Sequence, residues 1–101
     1  MTGLDCIGAL KALGEETRIR MLRLLFEKPM NVTRISEQLN VSQYNVSKHL
    51  RVMREAGLLA VEKRGQERLY TVTPKLKSQL TANNNVLDLG CCLFRLDKLP
   101  K

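Results

Sequence analysis

Apolar residues recur along the chain at two spacings, and the change from one to the other separates helices from a hairpin. Leu4, Ile7, Leu10 and Leu13 return every third residue, which predicts a first helix broken by Gly14. Glu15 and Glu16 suit a helix start, and Thr17 to Phe26 reads as a second helix. Its inward face is Ile19, Leu22, Leu25 and Phe26, with Arg18, Arg20 and Arg23 largely outside it, and Pro29 ends the element. Asn31 can cap a short third helix, Val32 to Leu39, striped by Val32, Ile35 and Leu39. Asn40 tolerates a left-handed backbone and Ser42 can cap the next helix, so Asn40-Val41-Ser42 predicts a tight turn between helices. A fourth helix runs from about Gln43 to Ala56, where Gly57 stops it.

Beyond Gly57 come two short β-prone runs, Leu59 to Lys63 and Arg68 to Val72, joined by a turn containing Gly65. Pro74 can open a fifth helix that reaches about Ala82. Asn83-Asn84-Asn85 interrupts it and leaves Val86 to Lys101 as a tail with no assigned structure. The chain has no internal repeat and no low-complexity tract.

At 101 residues the chain holds one domain, and 44% hydrophobic with 27% charged residues is the balance of a soluble globular protein. No apolar run nears the roughly 20 residues of a membrane span. With no basic stretch leading into an apolar block, no signal peptide is expected and the cytoplasm is the expected compartment. Seventeen Lys and Arg against ten Asp and Glu give a net charge of +7, which suits a polyanionic partner. Only 4% of residues are aromatic, which speaks against single strands stacked on aromatic platforms and leaves duplex DNA as the better fit.

The fourth helix carries the chemistry for that partner. At 100° per residue, Val46, Leu50 and Met53 share an inward face, while Tyr44, Ser47, Lys48 and Arg51 gather opposite, flanked by Gln43 and Arg54. Hydroxyls, an amide and cations, with no acid before Glu55, form the donor set that base edges and phosphates accept from in a major groove. A solvated basic face has the same composition; the hairpin weighs against it, because Lys63, Arg64, Gln66 and Arg68 cluster at its tip. There they could rest on a phosphate backbone or minor groove. The expected fold is therefore mainly α (α+β): a winged helix-turn-helix of about five helices with one two-stranded hairpin wing. Residues 1–82 form the DNA-binding domain, to which the family resemblance described next adds dimerisation, and residues 83–101 a tail carrying Cys91 and Cys92.

Four segments resemble one family when taken in order. They are Ala12-Leu13-Gly14-Glu15-Glu16-Thr17-Arg18-Ile19-Arg20-Met21-Leu22, the stretch Ile35 to Leu50, Arg54-Glu55-Ala56-Gly57-Leu58-Leu59, and Gly65-Gln66-Glu67-Arg68-Leu69-Tyr70. Together, over about residues 8 to 73, they are similar to the ArsR/SmtB family of winged-helix repressors. The resemblance implies a cytoplasmic homodimer, paired through its first and C-terminal helices, that represses its own operon from double-stranded operator DNA. It also implies release when an effector binds. A two-fold dimer would set its recognition helices about 34 Å apart on an imperfect palindrome.

Two effector sites of that family lack their ligands here. Arg34 to Leu39, the helix before the recognition helix, has no cysteine, and His49 is the only histidine, so the C-terminal zinc set is missing. His49, at the edge of the core face, fits a packing or phosphate-contacting role. Cys6, Cys91 and Cys92 remain. Three soft thiolates suit trivalent arsenic or antimony, whereas zinc usually takes four ligands. Gly90 frees the backbone beside the pair. On residue physics alone the same cysteines read first as small core residues among Leu87, Leu89, Leu93 and Phe94. A disulfide is not expected in a reducing cytoplasm, and one between neighbours would be strained. The resemblance favours As(III) or Sb(III) at Cys6, Cys91 and Cys92, with Cys6 supplied by either chain; a thiol redox or persulfide response is the alternative. An enzyme is not expected: a thiol oxidoreductase would need Cys-x-x-Cys in a βαβ setting, and no glycine-rich phosphate loop occurs.

Overall fold

A computed structural model describes residues 6–81 and 85–98. Its helices are α1 (Cys6–Ala12), α2 (Glu16–Glu27), α3 (Val32–Leu39), α4 (Gln43–Glu55) and a single turn, α5 (Pro74–Lys77). Strands β1 (Leu59–Arg64) and β2 (Glu67–Val72) form the expected hairpin.

The caps explain the helix-turn-helix boundaries. The Asn31 side chain accepts from the Arg34 N–H at 2.8 Å, and Ser42 Oγ accepts from the Asn45 N–H at 3.2 Å. Between them Asn40 takes φ 55°, ψ 46°, and its N–H closes α3 on the Ser36 carbonyl. Val46, Leu50 and Met53 are fully buried, as their spacing requires, and pack α4 on α2, α3 and β1. In the hairpin Arg64 lies opposite Glu67, leaving Gly65-Gln66 as a two-residue turn. Gly65 has φ 63° at the first turn position, which L side chains rarely adopt. A further pairing joins the wing to the chain ahead of α3: Met30 N–H donates to the Tyr70 carbonyl at 3.1 Å, and Tyr70 N–H returns the bond at 2.8 Å.

The structure sets the buried face of α1 and corrects two expectations. In α1 the buried side chains are Ala9 and Ala12, with Leu13 just beyond, whereas Ile7 and Leu10 are 57% and 41% exposed. Small residues let α1 lie close on α4, which turns the larger apolar residues outward; Leu4 lies outside the described residues. The expected fifth helix ends at Lys77, because the Gln79 N–H folds back to the Leu76 carbonyl and Leu80–Thr81 becomes strand β3. Its expected end, Ala82, lies outside the described residues, as do Asn83 and Asn84. The tail is not a separate piece either. Strands β4 (Val86–Asp88) and β5 (Leu93–Arg95) join β3 in a three-stranded antiparallel sheet, Leu80 opposite Leu87 and Leu87 opposite Phe94. The boundary placed between residues 82 and 83 thus falls between two paired strands. Leu87 and Leu96 are buried in the same core as Leu22 and Leu50.

Candidate nucleic-acid interface

The outer face of α4 is open. Gln43, Tyr44, Ser47, Lys48 and Arg51 are all exposed, Tyr44 by 72%. The Lys48 ammonium lies 5.4 Å from the centre of the Tyr44 ring, a cation–π pair that steadies both side chains. Arg51 Nε is 3.5 Å from Glu55 Oε2, one helical turn on, so part of its charge is answered within the helix.

The wing divides its cations by face. Arg64 shares its side of the hairpin with Glu62 and Glu67, and its Nη2 lies 3.7 Å from Glu62 Oε2. Lys63 and Arg68 stand opposite each other on the alternate face, and among the described residues no carboxylate pairs with them. Gln66 is exposed at the turn. Sequence grouped Lys63, Arg64, Gln66 and Arg68 together, although the period of two already placed Glu62 and Arg64 on one side.

His49 has a setting that local sequence could not give. Arg18 reaches it across 31 positions, with Nη1 3.2 Å from Nδ1. Because a guanidinium only donates, Nδ1 must accept, so the ring proton sits on Nε2, 3.8 Å from Glu15 Oε2. Arg18 also donates from Nε to the Ala12 carbonyl and from its backbone N–H to Glu15. Glu15, the N-cap of α2, feels burial pushing its carboxyl up. The N–H groups of Arg18 and Thr17, with the charge of the Arg18 guanidinium, outweigh this and hold it below the usual carboxylate range. A depressed folded-state value means stability that is present above the unfolded carboxylate range and lost as pH falls through the folded one. Glu15→Gln should therefore cost about 0.5 kcal/mol near neutrality, the low end for a cap, because the side chain is 39% exposed. In urea titrations the difference from wild type should vanish in acid; a constant difference down to pH 2 would contradict the charged cap.

The cysteines also depart from expectation. The β4–β5 loop, turned by Gly90 at φ 92° with its N–H on Asp88 Oδ1 at 2.8 Å, carries Cys91 over the start of α1. There Cys6 and Cys91 form a disulfide, Cα to Cα 6.2 Å, and Cys92 stays free and half-buried. Cys6, Cys91 and Cys92 therefore do not meet as three thiolates. Among the described residues no three Cys, His, Asp or Glu side chains are grouped to hold a metal ion. Of the helices that the resemblance pairs in a dimer, α1 is present and the C-terminal one is the single turn Pro74–Lys77, with the small sheet after it. No helix among the described residues is long and apolar enough to cross a membrane.

Comparison with known proteins bears on the whole arrangement. A model of the family described as bacterial regulatory protein, arsR family, matches residues 15–61, from the α2 cap into β1. The transcriptional activator HlyU of Vibrio cholerae is 34% identical over 64 residues, 63% of this chain and 59% of HlyU. The arsenic resistance transcriptional regulator ArsR1 of Pseudomonas putida is 34% identical over 73 residues, 71% of this chain and 57% of ArsR1. The chain thus spans less than two thirds of either relative. It spans 71% of the HTH-type regulator MJ1325 of Methanocaldococcus jannaschii, at 35% identity over 63 residues. The solved structure of reduced HlyU superposes with a TM-score of 0.63 at 33% identity, covering 66% of this chain and 70% of that one. On sequence and fold together, the chain belongs to the ArsR family of bacterial regulatory proteins.

Proposed function

We propose that the protein is a transcriptional repressor, and not an enzyme, that binds operator DNA as a homodimer and leaves it when its cysteines change state. The observation that carries DNA binding is the open, donor-rich stripe of α4 beside two cations of the wing that no carboxylate answers among the described residues. Gln43, Tyr44 and Ser47 would read base edges, while Lys48, Arg51, Lys63 and Arg68 would hold phosphates, with Gln66 at the wing tip. The exposed apolar side of α1, Ile7 and Leu10, is offered to a second copy of the chain. Compartment follows from the partner: operator DNA places the protein in the cytoplasm.

Removing two phosphate-binding cations from the wing should show in salt dependence. Lys63→Ala with Arg68→Ala is expected to flatten the log–log salt slope of duplex binding by about 1.8, at roughly 0.9 per phosphate. Arg64→Ala should change it less, since Glu62 already draws that guanidinium away. Anisotropy titrations over a range of KCl measure both, and equal slopes for wild type and the double variant would defeat the phosphate assignment.

For the effector, the Cys6–Cys91 pair favours thiol oxidation. A peroxide takes two electrons from the two thiols, forms one S–S bond, and leaves as water with the two protons. HlyU, a relative solved in a form described as reduced, agrees with that reading. A second reading keeps As(III) or Sb(III), supported by the likeness to ArsR1 and by Cys92 lying next to Cys91. Release of the operator complex by peroxide or by arsenite separates them. Oxidation requires only Cys6 and Cys91, so Cys92→Ser should leave peroxide release intact and abolish three-sulfur arsenite release. Release by neither reagent would remove the cysteines from regulation.

A further inference from the structure

A cleft of about 480 Å³ runs along one flank of α4, beside the stripe assigned to base edges. Arg18 closes it from α2, and Asn45, Lys48, His49 and Val52 line it from α4. Its cations are Arg18, Lys48 and Arg51; the one carboxylate, Glu55, is already engaged by Arg51 at 3.5 Å. The cleft is therefore a net cationic concavity, not a flat basic surface.

Arg18 is held in place by groups outside its own helix. Its Nε is tied to the Ala12 carbonyl and its Nη1 to His49 Nδ1, which uses two of five guanidinium donors and leaves the rest for an occupant. A fork fixed before binding loses little rotamer freedom on binding, and its planar donors match phosphate oxygens. Lys48 supplies a point charge and Asn45 an amide. Val52, 38% exposed, supplies an apolar wall of the kind a sugar ring can lie against. The flank of a helix lying in a groove is where the duplex backbone passes.

Resting on the DNA reading above, we propose that this cleft seats one backbone phosphodiester of duplex DNA, with Arg18 as its anchoring donor and His49 as the positioning residue that fixes Arg18. The site joins the start of α2 to the recognition helix at the DNA surface. It adds Arg18 of α2 to the phosphate contacts already assigned to Lys48 and Arg51 of α4 and to the wing.

The test uses the full chain and a short mixed-sequence duplex, with binding followed by anisotropy across KCl. Arg18→Gln should weaken binding several-fold and reduce the salt slope by about one. Val52→Glu, which leaves the Arg18–His49 pair alone, should do the same, and it carries the test if Arg18→Gln fails to fold. His49→Gln keeps an acceptor for Arg18 and should retain most of the slope, whereas His49→Leu should lose it. If the Lys63/Arg68 double variant loses slope while Arg18→Gln and Val52→Glu do not, the cleft proposal is overturned and the DNA reading stands. If wild type binds no duplex, the DNA reading itself fails. Inorganic phosphate titrated against the His49 ring signals in NMR is the second arm. Saturation by phosphate, with the duplex slope of Arg18→Gln unchanged, would make this a free-anion site and overturn the proposal.

Discussion

Truncating Leu50 to alanine should lower folding stability by about 3 kcal/mol, within the 2–5 kcal/mol typical of a buried Leu→Ala change. Leu50 is 1% exposed and sits between Val46 and Met53 on the face that docks α4. The loss combines the transfer energy of the missing carbons with the cavity they leave, and helices on several sides cannot all close in on it. For a chain of this size it removes a large share of a total of about 5–15 kcal/mol. The same helix gives the contrast: Ser47→Ala, on the exposed side, should change stability by no more than about 0.5 kcal/mol. Urea midpoints with unchanged m-values measure both. A Leu50→Ala cost below that of Ser47→Ala would mean that the stripe and the core face had been exchanged.

Reducing the Cys6–Cys91 bond should cost about 3 kcal/mol. It closes a loop of 85 positions, for which chain entropy alone allows somewhat more than 4 kcal/mol, and typical disulfides deliver 2–4. The effect should fall first on α1 and the β3–β4–β5 sheet, whose strands are two or three residues long. Urea titration with and without dithiothreitol should show the gap, and a Cys6→Ser/Cys91→Ser chain should be blind to reductant and match the reduced protein. Equal midpoints for reduced and oxidised wild type would show that the bond carries no stability.

Sequence specified the helix-turn-helix closely because its signals are local. Asn31, Asn40 and Ser42 each act on a backbone within five residues, and the bounds of α3 matched the expected Val32 to Leu39. The features that escaped depend on distant partners. In the first helix two apolar faces compete, and periodicity cannot say that Ala9 and Ala12 turn inward while Ile7 and Leu10 stay out. Leu76 and Leu80, four apart after Pro74, fit a helix as well as a turn entering a strand, and the pairing of Leu80 with Leu87 decided it. The approach of Arg18 to His49, and of Cys6 to Cys91 across 85 positions, left no trace in local pattern. The partition of wing cations was legible and missed: the period of two puts Glu62 and Arg64 on one side of β1, and the two-residue turn sets Arg68 opposite Lys63 on the other.

Asn31 does double duty, capping α3 with its carbonyl and donating from Nδ2 to Glu67 Oε2 on the wing at 2.8 Å, beside the Met30–Tyr70 pairing. These bonds tie the wing to the start of α3, on which the recognition helix packs, and so brace recognition helix and wing as two prongs of one fork. A duplex that fits both prongs must then supply the compliance itself. Operators with easily kinked pyrimidine–purine steps between the two prongs would be preferred at base pairs that no side chain touches.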